Sequence, residues 1–400
     1  PRYSGLSIAG IKVAPSPDWL QNALKSIGLQ PINNVVDVTN FVMHELGQPL
    51  HAFNADKISG NTVKVKNLAE GSKFITLDEK ERKLSAKDLM ICDGDSNPLC
   101  IAGVFGGIDS GVKDDTTKVF LESAYFSADS VRKTSQHHQL KTDASFRYER
   151  GTDPNITVYA LKRAALLIQE VAGGQISSEI QDEYPVAISD REVMMKYKNI
   201  DRLIGKKLEH DEIHTILNRL DIETTDKTES GFKAIVPPYR VDVTREADVI
   251  EEIIRIYGFN NIDLPETLSS SYMASFPEVD PVKMRKEAGL LLTANGFQEI
   301  MTNSLTKSIF SEQLDGFNSE ENVEILNKLS EDLGVMRQDL MFTVLDVLAY
   351  NINRRQTDLK FYEFGKVYKK INSKYKEEMR LGIYLTGKNE AENWIRKNES

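Results

Sequence analysis

The sequence predicts an α+β, multidomain protein: a mixed α/β unit over 1–180, a small winged-helix-like unit over 185–264, and the start of a third unit over 270–400. Three observations carry this. Apolar stripes at helical spacing bracket a strand-rich stretch at 61–125. A helix, hairpin and helix pattern then fills the segment after Tyr184-Pro185. A Pro- and Ser-containing stretch from Pro265 to Pro281, with serines at 269–271, reads as a linker before a further set of elements. The 400 residues fit about two to four domains at roughly 100–200 residues each. With 40% hydrophobic residues, disordered and collagen-like classes are excluded.

In chain order, Ser16-Pro17 is expected to start a helix with Ser16 as N-cap. Trp19, Leu20, Ala23, Leu24 and Ile27 form its apolar stripe, and Gly28 ends it. A second helix is expected after Asp37, with Val38, Phe41, Val42 and Leu46 on one face and Gly47 as the stop. Val63–Val65, Lys73–Ile75, Leu89–Ile91 and Val119–Leu121 read as strands. Asp153-Pro154 opens a longer helix closed by Gly173-Gly174. In the second unit Ile213, Ile216, Leu217 and Leu220 mark one buried helical face. A hairpin turning at Glu229-Ser230-Gly231 follows, then a helix from Val249 to Tyr257. Further on come a helix from Asp280-Pro281 to Gly296, a strand at 297–301, a helix near 338–353 and a strand at 359–367. The opening at Pro1 and the stop at Ser400 lead us to expect a piece of a longer protein.

Composition also bounds function. The 60 acidic and 50 basic residues give a net charge of −10, which argues against coating nucleic acid by bulk charge but leaves room for a local basic site. No apolar run approaches the ~20 residues a membrane helix needs. Two cysteines, Cys92 and Cys100, cannot form a disulfide framework, which fits a reducing compartment.

Five features can carry chemistry. Ala102-Gly103-Val104-Phe105-Gly106-Gly107 can bring backbone N–H groups close to a ligand, or simply form a tight hairpin turn; its spacing supports no phosphate cradle. Thr39 in the first turn of one helix and His51 just beyond its end can face one pocket if the chain doubles back, although a His among apolar neighbours also serves as a satisfied structural group. Glu122 interrupts an apolar strand, and alternation favours its facing outward over its being a buried acceptor. The run from Arg132 to Arg150 holds five basic against two acidic side chains, either a phosphate-facing surface or a solvated loop. Finally, Asp242, Asp248, Glu251 and Glu252 suit a hard cation such as Mg²⁺, or reflect acid enrichment at a helix N-terminus. His210 and His214 have zinc-protease spacing, but Asp211 stands where that pattern needs Glu.

Several of these motifs occur in one order with others. Pro31-Ile32-Asn33-Asn34-Val35-Val36-Asp37-Val38-Thr39-Asn40, Gly47-Gln48-Pro49-Leu50-His51-Ala52-Phe53, the 102–107 loop, Phe120-Leu121-Glu122-Ser123-Ala124 and Thr142-Asp143-Ala144-Ser145-Phe146-Arg147-Tyr148-Glu149-Arg150-Gly151 together closely resemble bacterial phenylalanyl-tRNA synthetase beta subunits. The resemblance spans essentially the whole chain. It implies an editing (tRNA-deacylating) domain at 1–180, the winged-helix-like domain at 185–264, and at 270–400 the N-terminal part of an inactive, class II synthetase-like antiparallel-sheet module. The family's N-terminal tRNA-binding-type region and C-terminal anticodon-binding domain do not show in this sequence. The partners implied are a catalytic alpha subunit, which uses ATP to activate phenylalanine, in an assembly of two alpha and two beta subunits, and tRNA(Phe). A cytoplasmic location without membrane contact is implied too.

The physics of editing explains the residue types. An apolar synthesis pocket cannot strongly reject an isostere that merely adds a hydroxyl, so tyrosine is sometimes attached to tRNA(Phe). A second site that hydrogen-bonds the phenol selects the error, because phenylalanine would leave its buried polar groups unpaired. By resemblance, Glu122 and the backbone N–H of Gly103 read the tyrosine hydroxyl, Thr39 and His51 surround the amino-acid moiety, and Ala102, Gly106 and Ala144 are small wall residues. No residue is assigned as a general base. Asp242, Asp248, Glu251 and Glu252 match family positions associated with Mg²⁺, and the basic run becomes a path for the tRNA acceptor end. Two rivals remain: a free-standing nucleic-acid-binding module and a free-standing deacylase.

Overall fold

A computed structural model describes residues 1–263, 279–313, 316–388 and 394. Most of the stretch read as a linker, 264–278, lies outside the described residues. The chain forms two compact units, Pro1–Glu266 and Thr267–Ser400, of mixed α+β type with several antiparallel sheets.

The first unit opens with β1 (Arg2–Ala9), α1 (Asp18–Ser26), α2 (Asn34–Leu46) and β2 (Leu50–Asn54). Small strands follow: β3 (Lys64–Asn67), β4 (Lys73–Ile75), β5 (Glu81–Lys83), β6 (Leu89–Cys92), β7 (Pro98–Ile101) and β8 (Phe105–Gly106). Then come β9 (Lys118–Tyr125), α3 (Ala128–His138), α4 (Asp143–Tyr148), α5 (Thr157–Ala172), β10 (Gln175–Ile176) and β11 (Gln181–Glu183). The main sheet runs β10-β1-β9-β2, with β11 also on β1, and all its pairs are antiparallel. Leu6, Ile8, Val119, Leu121 and Ala52 lie on one face, against Leu20, Leu24, Val35, Val38, Val42, Leu161, Ala164 and Ile168 of α1, α2 and α5. The other face carries Phe53, Phe120 and Ala124. It is covered by a second sheet, β3-β6-β7-β8, whose Met90, Ile91, Leu99 and Ile101 share a core with them. Period-2 alternation therefore separates two buried faces rather than a buried face from water.

Local chemistry differs from the sequence expectation at three points. Ser16 does not cap α1; its hydroxyl donates to Asp37 at 2.6 Å. The second helix starts before Asp37, at Asn34, because the Asn33 side chain accepts from the N–H groups of Val35 and Val36. Asp37 is instead buried inside that helix, also accepting from the Ile32 N–H at 2.8 Å. The longer helix starts at Thr157, not at Asp153-Pro154. Gly47 ends α2 with φ 73°, the left-handed conformation glycine adopts at least cost.

The remainder of this unit adds β12 (Arg191–Lys196), α6 (Tyr197–Ile204), α7 (His210–Arg219), β13 (Glu223–Thr225), β14 (Gly231–Val236) and α8 (Glu246–Tyr257). A three-stranded antiparallel sheet, β12-β14-β13, packs on the helices around Met195, Ile200, Ile213, Leu217, Phe232, Ala234, Val249 and Ile253. In the second unit, α9 (Pro281–Ala294), β15 (Gln298–Glu299), β16 (Leu305–Thr306), α10 (Ile309–Gln313), β17 (Val335–Met336) and α11 (Met341–Ile352) precede β18 (Leu359–Ile371) and β19 (Lys374–Thr386). The long β18–β19 hairpin is antiparallel, and β15 adds a parallel strand. Asp280 caps α9 by accepting from Val282 and Lys283.

Candidate functional site

The site follows from the register of the main sheet. Glu122 of β9 pairs with His51 of β2 on one side and with Gly5 of β1 on the other. Side chains directly across a ladder share a face, so Glu122 and His51 both point beneath the second sheet. The expectation that alternation turns Glu122 outward is therefore corrected. It does face away from the aliphatic core of Leu121, but that face is covered, and Glu122 is only 4% exposed.

Its Oε2 accepts from the Tyr3 hydroxyl at 2.7 Å, while Oε1 has no hydrogen-bond partner among the described residues. Burial raises the Glu122 pKa to about 7, with the Tyr3 hydrogen bond pulling it down. The ring of His51 lies edge-on to Phe53, centroids 4.4 Å apart, and its Nε2 is buried without a partner. Burial lowers its pKa to about 4, so the imidazole is neutral near pH 7.

Glycine is needed twice in the facing loop. Gly103 has φ 68°, and a Cβ there would stand 2.9 Å from Tyr148 and 3.0 Å from Phe126. Its N–H has no hydrogen-bond partner among the described residues. A Cβ on Gly106 would stand 3.0 Å from the His51 ring. Helix α4 closes the opposite side. Thr142 caps it in a reciprocal box with Ser145, and the Thr142 hydroxyl also donates to the Val104 carbonyl at 2.9 Å, fixing α4 to the glycine loop.

The result is a cavity of about 430 Å³ that gathers Thr39, His51, Gly103, Gly106, Glu122 and Ala144, within the size range of small-molecule sites. Thr39 donates its hydroxyl to the Val36 carbonyl and keeps only acceptor capacity for a ligand. Ala102 does not line the cavity; it is buried in the second core. Sequence reasoning missed Tyr3, Cys100 and Met43, of which Cys100 and Met43 line the wall. The alternation of Tyr3, Gly5 and Ser7 against Leu6 and Ile8 was the available signal for β1.

Of the basic run, Arg132 and Lys133 lie on α3 and Arg147 on α4, while Lys141 lies in the connection between the two helices and Arg150 in the turn after α4. Arg132 donates to the Glu149 carbonyl, Arg147 lies 3.2 Å from His44, and Arg150 stacks on Phe146 at 3.6 Å. Lys133 and Lys141 are exposed and carry no ion pair among the described residues.

The four carboxylates read as a Mg²⁺ site do not fit that role as the structure places them. Among the described residues no group of three or more His, Cys, Asp or Glu is spaced to hold a metal. Asp248 accepts from the Arg245 side chain at 2.9 Å and from the N–H groups of Thr244 and Arg245, which hold its carboxyl well below the usual range. Glu252 lies between Arg240 at 3.1 Å and Arg255 at 2.6 Å. Asp242 and Glu251 are exposed, and both attract the Arg255 guanidinium, so arginines supply the positive charge.

Three family models match successive stretches of the chain. The family model of the B3/4 domain matches residues 1–173, that of the tRNA synthetase B5 domain residues 193–259, and that of the phenylalanyl tRNA synthetase beta chain CLM domain residues 264–400. These three define a tRNA synthetase chain. Curated relatives from Bacteroides fragilis and Porphyromonas gingivalis, each named phenylalanine–tRNA ligase beta subunit, are 48% and 43% identical over 100% of this chain and 50% of their own length. The Fusobacterium nucleatum subunit of that name is 38% identical over 98% of this chain and 49% of its own. The chain belongs to the phenylalanine–tRNA ligase beta subunit family and spans about half the length of the curated relatives it matches. A solved N-terminal fragment of the Pyrococcus horikoshii phenylalanyl-tRNA synthetase beta-subunit covers 64% of this chain and 70% of its own length at 16% identity, with a TM-score of 0.33.

Proposed function

We propose that the cavity is the hydrolytic editing site of a phenylalanine–tRNA ligase and releases tyrosine wrongly attached to tRNA(Phe). The observation that carries this is a buried carboxylate with one oxygen unpaired among the described residues, lining the same pocket as a backbone N–H likewise unpaired, while the pocket's other carboxylate, Asp143, is exposed. Such a pair suits a phenol, which donates to Glu122 Oε1 and accepts from the Gly103 N–H. A phenyl ring would leave both unpaired, a cost of about 1–3 kcal/mol for each buried group. Gly106, Ala144 and the neutral His51 leave room for the ring, and Thr39 borders the same volume.

The reaction is ester hydrolysis. Water adds to the carbonyl carbon of the aminoacyl ester, the bond to the ribose oxygen breaks, and that oxygen leaves as a hydroxyl. Rate enhancement rests on holding the ester and the water together, with no general base assigned. No step passes through Mg²⁺.

In this reading residues 1–180 are the editing domain, 185–264 the winged-helix-like domain, and 270–400 the start of an inactive class II synthetase-like module. Activation with ATP belongs to an alpha subunit, two of which join two beta subunits in the cytoplasm. The test is deacylation of Tyr-tRNA(Phe) by the assembled enzyme. Glu122→Ala should lower kcat/KM by about ten- to a hundredfold, the worth of a hydrogen bond to a charged group, and His51→Ala should slow it as well. Undiminished hydrolysis in both variants would sink the assignment.

A further inference from the structure

We propose that Tyr3 is a positioning residue of this site: its hydroxyl fixes Oε2 of Glu122, leaving Oε1 as the one carboxylate acceptor open to a phenol. The inference rests on the editing reading above and extends it to a residue outside the cavity wall.

The geometry comes from the ladder. Gly5 stands directly across from Glu122, and Tyr3 is in register with Ala124, so Tyr3 reaches Glu122 along the diagonal of the β1–β9 pair. The absence of a side chain at Gly5 makes this possible. A Cβ there would meet the Phe120 ring at 2.3 Å, so Phe120 occupies the space over Gly5 and leaves Tyr3 the route to the carboxylate. The Tyr3 hydroxyl donates at 2.7 Å and is the sole hydrogen bond of the Glu122 side chain among the described residues.

A free glutamate in a pocket has three rotatable torsions and two equivalent oxygens. Holding Oε2 removes that freedom before substrate arrives, which is the benefit of preorganisation. It also favours the ionised carboxylate. The Tyr3 hydrogen bond opposes the desolvation that raises Glu122 to about 7. His51, Cys100, Tyr148 and Tyr3 do not change charge in that range. His51 on β2 is already neutral above about pH 5. Cys100 on β7, Tyr148 on α4 and Tyr3 itself are pushed well above their ordinary values by burial. Asp143 lines the cavity from the first turn of α4.

The experiment is the pH dependence of Tyr-tRNA(Phe) deacylation by the assembled enzyme, from about pH 6 to 9, for wild type, Tyr3→Phe and Glu122→Ala. Wild-type kcat/KM should rise with a midpoint near 7 as Glu122 ionises. In Tyr3→Phe the midpoint should move up by about one unit, giving about a fivefold loss at pH 7 that is carried by KM and regained near pH 8.5. A Tyr3→Phe profile superimposable on wild type, or a uniform loss with an unmoved midpoint, overturns the role of Tyr3 if Glu122→Ala is impaired. Undiminished hydrolysis by Glu122→Ala overturns the editing reading itself.

Discussion

Glu122 is the residue at which burial, charge and recognition meet. A free glutamate ionises near 4.5, whereas in the fold its pKa is raised to about 7. The folded chain therefore holds the proton more tightly than the unfolded chain. Stability from this group is fully present below pH 4.5 and is lost as pH rises through 7. The shift of about two and a half units corresponds to roughly 3 kcal/mol. Glu122→Gln keeps the shape and removes the ionisation. Its urea stability should match wild type near pH 4.5 and exceed it by up to about 3 kcal/mol above pH 8. Equal stabilities across that range would show that the carboxylate is solvated in the folded state. A group that costs stability when charged is consistent with a site that needs the charge.

At the scale of elements, α2 is the support of the cavity. Its outer turns place Val36, Thr39, Asn40 and Met43 on the wall, while Val35, Val38 and Val42 anchor it in the core. Asn33 fixes where it begins. Asn33→Ala should cost about 1 kcal/mol in denaturant unfolding, as N-cap losses do, and should slow deacylation by disturbing the wall. Unchanged stability would mean that the two freed N–H groups find other partners.

The same element shows how far the sequence was legible. Its apolar spacing and its Gly47 stop were readable, but its start was not. Asp37 resembles a cap and Asn33 resembles a loop residue, and the choice between them depends on Ser16 and Ile32, which reach Asp37 only in the folded chain. Glu122 illustrates a second limit. Alternation gave its face correctly but could not say that a second sheet covers that face. Tyr3 illustrates a third, because its partner lies 119 positions away. Thr39, His51, Gly103, Gly106, Glu122 and Ala144 of the cavity were reached through long motifs resembling a family, whereas short-range pattern alone left Glu122, His51 and the glycine loop open and missed Met43 and Cys100.

For the whole molecule, the net charge of −10 says little about where RNA would bind. The Debye length is about 8 Å at physiological salt, so a phosphate responds to its near neighbours and not to the total. Asp143, Ala144 and Tyr148 of α4 line the cavity, and the basic side chains next to them in the chain are those of the 132–150 run on α3, on α4 and in the connection between them. Arginine side chains there are partly committed within the protein, Arg132 to the Glu149 carbonyl and Arg147 to His44 and Asp143. Lys133 and Lys141 are exposed, without ion-pair partners among the described residues, and are open to a phosphate. Of the acidic residues around α8, Asp248 pairs with Arg245, and Glu252 with Arg240 and Arg255. If the acceptor end of tRNA enters along α3 and α4, replacing both lysines by glutamate should weaken tRNA(Phe) binding by the assembled enzyme. Each lost phosphate contact should flatten the plot of log K against log salt by roughly 0.7 to 0.9. The double variant should therefore reduce the slope by about 1.5, with fluorescence titration at several salt concentrations as the measurement. An unchanged slope would place the RNA path on another face of the first unit.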